Sequence, residues 1–195
     1  MPAVALEITI AQTPALPFPY PVVAKVLSAD IAHKTEAGGV ALDLRDGAAL
    51  LAAIGTMRET VRQRTGITPQ RVLVAPMISG VGEALIGYRV DREVGPLIMV
   101  AAGGVYTEIY RDRSLRLAPV DLPTACAMIA EVKAFATLKG FRGKPAGDVE
   151  ALAKAIVALS RLALQNDPAI AEAEVNPLIV RTDGVVAVDA LVKEM

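Results

Sequence analysis

Tryptophan is absent from the 195 residues of this chain, and cysteine and histidine occur once each, as Cys126 and His33. A single cysteine excludes an internal disulfide and any metal centre built from several thiolates. It also fits a reducing compartment, where free thiols persist.

Neither positive nor negative charge is in excess. The chain has 20 Lys and Arg and 21 Asp and Glu, which gives a formal net charge of −1. Nucleic-acid binding depends on concentrated positive charge, so we expect no nucleic-acid partner. The first residues lack a basic segment before an apolar run, unlike a secretory signal. The longest uncharged apolar stretch, about 95–106, is too short to span a bilayer. These absences predict a cytoplasmic protein without a membrane partner.

Apolar residues, by contrast, are plentiful at 53%, although only 4% of the residues are aromatic. A chain of this length buries a substantial core. The apolar share lies slightly above that of ordinary soluble domains, so part of the apolar surface is expected to face a partner protein. The oligomeric state stays open.

Short runs rich in β-branched residues, mostly bounded by Gly or Pro, predict strands. They cover 4–10, 22–27, 39–44, 71–77, 83–90, 96–100 and 105–110. Asp46, Asp121 and Asp148 each precede apolar residues at helical spacing, which predicts three helices starting there. The order of strand, helix, further strands, two helices and a final hairpin predicts an α+β, or mixed α/β, domain with antiparallel sheet.

The hairpin is predicted in AEAEVNPLIVRTDGVVAVDA, residues 171–190, by two β-rich runs around an Asp-Gly turn. Strand alternation places Glu172, Glu174 and Asn176 on one face. A loop of two or four residues puts Asp189 on that face, opposite Asn176 or one diagonal step away, whereas a three-residue loop puts it on the other. Such oxygen ligands suit Mg²⁺. The alternative is an edge hairpin with one face in water.

Lys25 interrupts the apolar strand VVAKVL and must reach either solvent or an anion, because burying an unpaired charge is costly. The loop that follows contains His33 and ends in Gly38-Gly39. Glycines allow close backbone approach, and free amides near a lysine can hold a phosphate. A solvated loop histidine without a function is the alternative.

Taken in order, several stretches resemble the ATP-grasp domain of the nucleoside-diphosphate-forming acyl-CoA synthetases, which include the ADP-forming acetyl-CoA synthetases and, more distantly, the succinyl-CoA synthetase β subunit. The stretches are YPVVAKVLSADIAHKTEAGGV, VLVAPMISGVGEALIGYRVDREVGP, AAGGVYTEIYRD, RLAPV, LKGFRGKP, AEAEVNPLIV and VAVDA, between Tyr20 and Ala190. The resemblance implies one ATP-grasp domain over 1–195, with antiparallel sheets, flanking helices and two lobes at about 1–77 and 78–195.

The resemblance also implies a magnesium site. In the related synthetases, an Asn of the NPL motif and an Asp on the following strand bind the Mg²⁺ of the nucleotide, and these match Asn176 and Asp189. Glu174 stands where the family usually has Asp, and we expect this longer carboxylate to support the site. The implied cofactors are Mg²⁺ and ATP or ADP.

The nucleotide itself is implied to contact several further positions. Lys25 resembles the strand lysine that meets the phosphates, Glu83 resembles the acid that holds the ribose, and Gly38 and Gly39 are assigned to the phosphate side. Base recognition is assigned to the VLVAPM segment, residues 72–77, at Ala75 and Met77. Ala75 stands where relatives usually carry Gln or Glu, so base recognition is expected to depend on backbone groups.

His33 matches a histidine that, in the ADP-forming acetyl-CoA synthetases, is proposed to take phosphate from a partner's phosphohistidine and pass it to ADP. Neutral imidazole is nucleophilic near pH 7, which suits this relay. The implied reaction is acyl-CoA + ADP + Pi = acid + CoA + ATP. The chain is thus identified as a component of an ADP-forming acid–CoA ligase.

No stretch is left over for a CoA site, and the segment before the first matching strand is shorter than in relatives. We therefore expect a CoA-binding, α-type subunit or domain as partner, with the small carboxylic acid bound on the partner and the chain inactive alone. Two alternatives stay open. One is a catalytically degenerate regulatory module, as in the related protein-lysine acetyltransferases; the other is a different ATP-grasp ligase that uses an acyl phosphate without His33.

Overall fold

The computed structural model describes residues 4–8, 14–31, 34–103, 112–140, 143 and 145–195. The chain divides into two compact units, Met1–Met77 and Ile78–Met195. Each unit has a hydrophobic core of its own. The predicted strand at 105–110 lies outside the described residues.

The first unit is a four-stranded antiparallel sheet with one long helix. Its strands are β1 (Val4–Glu7), β2 (Val22–Val26), β3 (Val40–Leu44) and β4 (Arg71–Pro76), in the spatial order β1-β4-β2-β3, and its helix is α1 (Gly47–Thr65). The predicted helix start is confirmed, because Asp46 Oδ1 accepts a hydrogen bond from the backbone N–H of Ala49 at 2.8 Å. The buried helix stripe of Leu50, Ile54, Met57 and Val61 packs on the sheet.

The second unit is a six-stranded antiparallel sheet with helices on one face. The strands are β5 (Gly82–Asp91), β6 (Gly95–Ala102), β7 (Arg113–Leu117), β8 (Ile170–Arg181), β9 (Gly184–Ala187) and β10 (Ala190–Glu194). The helices are α2 (Leu122–Glu131) and α3 (Val149–Ser160), with 3₁₀ turns at Lys133–Lys139 and Arg161–Leu164. The spatial order is β10-β8-β5-β6-β7, and β9 pairs with β8. The antiparallel sheets confirm the predicted α+β class.

The two later helices also begin at the predicted residues. Asp121 accepts a hydrogen bond from the N–H of Thr124 at 2.9 Å, and Asp148 accepts one from Ala151 at 2.8 Å. Strand β7, in contrast, was not predicted from the sequence. No helix among the described residues combines the length and the apolar character needed to cross a membrane.

The core of the second unit is centred on α3, whose Ile156 is fully buried. We expect Ile156→Ala to destabilise the fold by about 2–5 kcal/mol, because it removes buried contacts and leaves a cavity. Urea unfolding followed by circular dichroism measures this loss. Leu164→Ala, at a side chain that is 65% exposed, is the control and should change stability little. A loss for Ile156→Ala no larger than for the control would contradict this packing.

A bulge in β8 determines which residues face the core. Between the pairs Ala84↔Leu178 and Ile86↔Val175, two residues of β8, Asn176 and Pro177, lie opposite the single residue Leu85 of β5. Because of this extra residue, the alternation of core-facing and outward-facing side chains shifts by one position between the two parts of β8. The other face of the sheet, directed away from α2 and α3, is called the outer face below. Its central side chains are those of Glu83, Leu85, Arg89, Leu97, Met99, Leu115, Glu172 and Glu174.

Candidate functional site

The β8–β9–β10 hairpin brings the predicted metal ligands together. Arg181 pairs with Gly184 across a two-residue turn, which fixes the register of everything beyond it. The backbone N–H of Asn176 then donates to the carbonyl oxygen of Asp189 at 3.1 Å. Asp189 thus lies directly opposite Asn176, which is the arrangement predicted for a two-residue loop.

The side chain of Glu174 is hydrogen-bonded to one of these two residues, Asn176. The amide Nδ2 of Asn176 donates to Glu174 Oε1 at 3.1 Å, and Asp189 Oδ1 accepts from the N–H of Ala190 at 3.0 Å. Within the described parts of the chain, no group of three or more His, Cys, Asp or Glu side chains could hold a metal by itself. Two carboxylates and one amide fit Mg²⁺, which completes its shell with water and phosphate oxygens. The donor set is suited to a cation shared with a nucleotide.

Glu83, assigned to the ribose, lies at the start of β5 with its side chain exposed. It pairs with Ile179, so it lies on the outer face near the hairpin. Its carbonyl oxygen accepts from the N–H of Gly103 at 2.7 Å, and a Cβ on Gly103 would lie 2.7 Å from Glu83 Cβ. Glycine at 103 therefore permits the close approach that holds this end of β5.

In the first unit, Lys25 is half-buried on β2 between the buried residues Ala24 and Val26, which face the α1 core. Alternation directs Lys25 to the opposite face of the sheet. It pairs with Leu73 of β4, and Ala75 lies two residues further along β4 on the same face. Lys25, assigned to phosphate, and Ala75, assigned to the base, therefore share one face of this sheet.

Met77, assigned to the base, follows β4 and is 37% exposed. Its backbone N–H donates to the carbonyl oxygen of Pro21 at 3.0 Å. This N–H is therefore engaged within the first unit. A base would be recognised through other groups of the segment.

The amides of Gly38 and Gly39 are not free, contrary to the sequence-based suggestion. They donate to the carbonyl oxygens of Thr35 at 3.0 Å and Lys34 at 2.7 Å. Gly38 has a φ of +76°, and a Cβ there would meet Thr60 Cγ2 at 2.6 Å. Both glycines close a tight turn, so a ready phosphate cradle is absent from this described segment. Their contact with nucleotide stays a prediction.

His33 lies outside the described residues, so its position relative to the other groups is not described. Its assignment to phosphoryl transfer stays a prediction.

The outer face carries a pocket that the sequence did not predict. It has a volume of about 330 Å³ and is lined by Gly87, Tyr88, Arg89, Leu97, Met99, Arg113, Leu115, Glu172, Ala173 and Glu174. We call it the Gly87 pocket, because the missing side chain of Gly87 opens it between Met99 and Glu174. The only feature of the sequence that indicates this pocket is a glycine at an outward-facing position of an otherwise regular strand.

Strand β7, which forms one wall of this pocket, is tied to α2. The buried Ser114 hydroxyl donates to Glu131 Oε2 at 2.5 Å, and Arg116 pairs with the same carboxylate. The hydrogen bonds from Arg116 and then Ser114 lower the pKa of Glu131. This connection holds the strand that presents Arg113 and Leu115.

A profile of the ATP-grasp domain matches residues 4–193. The chain belongs to the ATP-grasp family. The domain is 36% identical over 170 residues to an ADP-forming acetate–CoA ligase of Archaeoglobus fulgidus, covering 87% of the chain and 25% of that enzyme. It is also 36% identical over 172 residues to the β subunit of a Pyrococcus furiosus enzyme of the same name, covering 88% of the chain and 74% of that subunit.

Solved structures agree with this membership. The ATP-grasp domain superposes on acetyl-coenzyme A synthetase 1 of Ca. Korarchaeum cryptofilum, in complex with coenzyme A and Ca-AMPCP, with a TM-score of 0.81 and 34% identity, over 90% of this chain and 77% of that one. A second structure of that enzyme holds Mg-AMPPCP, with a phosphohistidine segment pointing towards the nucleotide site (TM-score 0.74, 34% identity, 91% and 78% coverage). The predicted ATP-grasp fold is confirmed.

Proposed function

We propose that this ATP-grasp domain binds Mg·ADP and Mg·ATP and transfers the phosphoryl group in an ADP-forming acyl-CoA synthetase. The observation that carries the proposal is the hairpin on which Asn176 lies opposite Asp189 and is hydrogen-bonded to Glu174. Domain membership alone would not assign an activity, since one fold serves many functions. An oxygen donor set suited to a shared Mg²⁺ is the chemical feature that a nucleotide site requires.

Each residue then has a task. Asn176 Oδ1 and the Asp189 carboxylate would hold the cation, and Glu174 would orient the Asn176 amide through its hydrogen bond. Glu83 would accept hydrogen bonds from the ribose hydroxyls, and Lys25 would bind phosphate oxygens. When bound, Mg²⁺ neutralises charge that develops on the phosphate oxygens during transfer.

His33 is proposed as the relay. Its imidazole nitrogen would attack the phosphorus of a partner's phosphohistidine, so that one P–N bond forms as another breaks. A β-phosphate oxygen of ADP would then attack the phosphorus on His33, giving ATP, and the released imidazole nitrogen would be free to take up a proton. The domain needs a partner, since the CoA site and the acid are assigned to an α-type subunit or domain. This proposal is supported by the relative that is named a β subunit.

Calorimetric titration with Mg·ADP tests the proposal directly. We expect saturable binding that weakens when Mg²⁺ is withdrawn. Undetectable binding at millimolar nucleotide would reject the proposed function. Binding without any phosphoryl transfer in the presence of a CoA-binding partner would favour the regulatory alternative.

The role of Glu83 gives a sharper prediction. We expect Glu83→Ala to weaken Mg·ADP binding by roughly tenfold or more, because a hydrogen bond to a charged group contributes about 1.5–3 kcal/mol. Binding of Mg-tripolyphosphate, which has no ribose, should be unchanged. Glu93→Ala, at an exposed residue of the β5–β6 turn, is the matched control. Equal losses for ADP and tripolyphosphate would show that Glu83 does not act on the sugar.

A further inference from the structure

A tight turn at residues 34–39 is closed by the hydrogen bonds of its two glycines, and we call it the Gly38 turn. The N–H of Gly39 donates to the carbonyl oxygen of Lys34 at 2.7 Å, and that of Gly38 donates to Thr35 at 3.0 Å. Because Gly38 has a φ of +76°, this is the bonding pattern of a Schellman motif. The two bonds use the carbonyl oxygens of residues 34 and 35 and leave the next one, at position 36, to a partner outside the motif.

Arg64 supplies that partner from helix α1. Its Nη1 donates to the carbonyl oxygen of Glu36 at 2.8 Å, across 28 positions of the sequence. The last turn of α1 contains two basic residues, Arg62 and Arg64. Arg62 pairs with Glu59 of the same helix at 2.7 Å, whereas Arg64 reaches out to the turn. The guanidinium of Arg64 therefore ties the Gly38 turn to α1.

Packing and backbone pairing hold the same turn from its other sides. A Cβ at Gly38 would lie 2.6 Å from Thr60 Cγ2, so glycine lets the turn approach α1 closely. Ala37 is buried in the core of the first unit. The carbonyl oxygen of Gly39 accepts from the N–H of Val26 on β2 at 2.8 Å. The turn is thus attached to the helix, to the core and to the strand.

These contacts fix the chain on the C-terminal side of His33. Lys34 is the next residue after His33 in the sequence, and its carbonyl oxygen is held by the turn. Val26, at the other end of this series of bonds, follows Lys25, which is assigned to phosphate. Phosphoryl transfer needs the nucleophile and the phosphorus in a defined geometry, and a displacement of about 1 Å can reduce a rate by roughly 100-fold. A residue that holds the turn can therefore act on the rate without contacting the nucleotide.

We propose that Arg64 is a positioning residue for phosphoryl transfer through His33. Its hydrogen bond to Glu36 keeps the Gly38 turn closed, and the closed turn fixes Lys34 beside the residue that takes up phosphate. This inference rests on the proposed function, since it concerns the relay assigned to His33. In the transfer from ATP, an imidazole nitrogen bonds to the γ-phosphorus as the bond to the β-phosphate oxygen breaks, and ADP leaves with the electron pair of that bond.

The rate at which Mg·ATP labels the chain tests this role. With γ-labelled ATP as the probe, Arg64→Ala should take up acid-labile phosphate roughly tenfold more slowly than wild type, because the turn is then closed in only a fraction of the molecules. Arg64→Lys keeps a charged donor and should restore most of the rate. Arg62→Ala is the matched control, since it breaks only the exposed pair with Glu59, and it should label at the wild-type rate.

Two further measurements separate positioning from folding. Calorimetry should show Mg·ATP binding within about twofold of wild type in Arg64→Ala, which also shows that the variant is folded. Exchange of the Gly38 and Gly39 amide hydrogens should be roughly fivefold faster in Arg64→Ala, because opening of the turn exposes these N–H groups to water. Arg62→Ala should leave both measurements unchanged.

The outcomes distinguish this role from the function on which it rests. Labelling of Arg64→Ala at the wild-type rate would overturn the positioning role and leave the relay intact. Equal losses in Arg64→Ala and Arg62→Ala would overturn it as well, since they would reflect a general effect on α1. A wild-type chain that binds Mg·ATP but takes up no label would overturn the relay and the role of Arg64 with it. A wild-type chain that does not bind Mg·ATP would overturn the proposed function as a whole.

Discussion

Mg²⁺ should no longer strengthen nucleotide binding when Asn176 and Asp189 are both replaced by Ala. The two side chains lie opposite each other on the hairpin and supply most of the oxygen donors assigned to the cation. We expect the affinity for Mg·ATP to fall by roughly 100-fold, since even indirect partners of a metal ligand contribute 10–100-fold. Titration with ATP in the presence and absence of Mg²⁺ measures the effect.

The comparison without Mg²⁺ is the essential control. Binding of metal-free ATP should change little, because the two side chains are assigned to the cation and not to the nucleotide. Asp183→Ala removes a carboxylate from the turn of the same hairpin and should leave both affinities unchanged. An equal loss with and without Mg²⁺ would mean that the pair supports the fold of the hairpin and not a metal.

Glu174 holds the side-chain amide of Asn176 in one orientation. Its Oε1 accepts from the Asn176 amide, so Glu174→Gln would let that amide turn and present its nitrogen to the cation. The hydrogen bond thus gives a physical reason for the carboxylate at 174. Glu174 pairs with Gly87, which has no side chain to compete for space with the longer carboxylate.

Local signals in the sequence predicted the parts of the fold that depend on neighbouring residues. The helix starts at Asp46, Asp121 and Asp148 are confirmed because a capping carboxylate meets an amide only three residues away. The position of Asp189 required one further fact, the length of the turn. The sequence allows a turn of two, three or four residues, and the structure has two.

Features that depend on several strands were not predictable in this way. Strand β7 is short and lacks β-branched residues, and it is held by pairing with β6 and by Glu131 of α2. The Gly87 pocket exists because strands distant in sequence place Met99 and Glu174 on either side of one glycine. The amides of Gly38 and Gly39, suggested from the sequence to be free, are hydrogen-bonded to backbone carbonyls. Their partners could not be predicted, because they depend on how the turn closes.

The purified chain should form no acyl-CoA from acetate, ATP and CoA. The residues of this chain are proposed to bind nucleotide and transfer the phosphoryl group, and the CoA and acid sites are assigned to the partner. Addition of a CoA-binding α-type protein with its own histidine should give turnover of about 1 per second or faster. Liquid chromatography of acetyl-CoA measures both conditions. Turnover at such a rate by the chain alone would contradict the assignment of the CoA and acid sites to a partner.

His33 decides whether the relay passes through this chain. In the reconstituted reaction, His33→Ala should abolish turnover, while Gln70→Ala, at an exposed position of the same unit, should not. Labelled ATP should place acid-labile phosphate on the wild-type chain, because a phosphoimidazole hydrolyses in acid. Turnover by an unlabelled His33→Ala chain would assign the transfer to direct attack between the partner's phosphohistidine and ADP. Label on the His33→Ala chain would place the relay on another residue. Since Mg·ADP binding by His33→Ala is expected to be normal, loss of turnover together with retained binding would locate the defect in phosphoryl transfer.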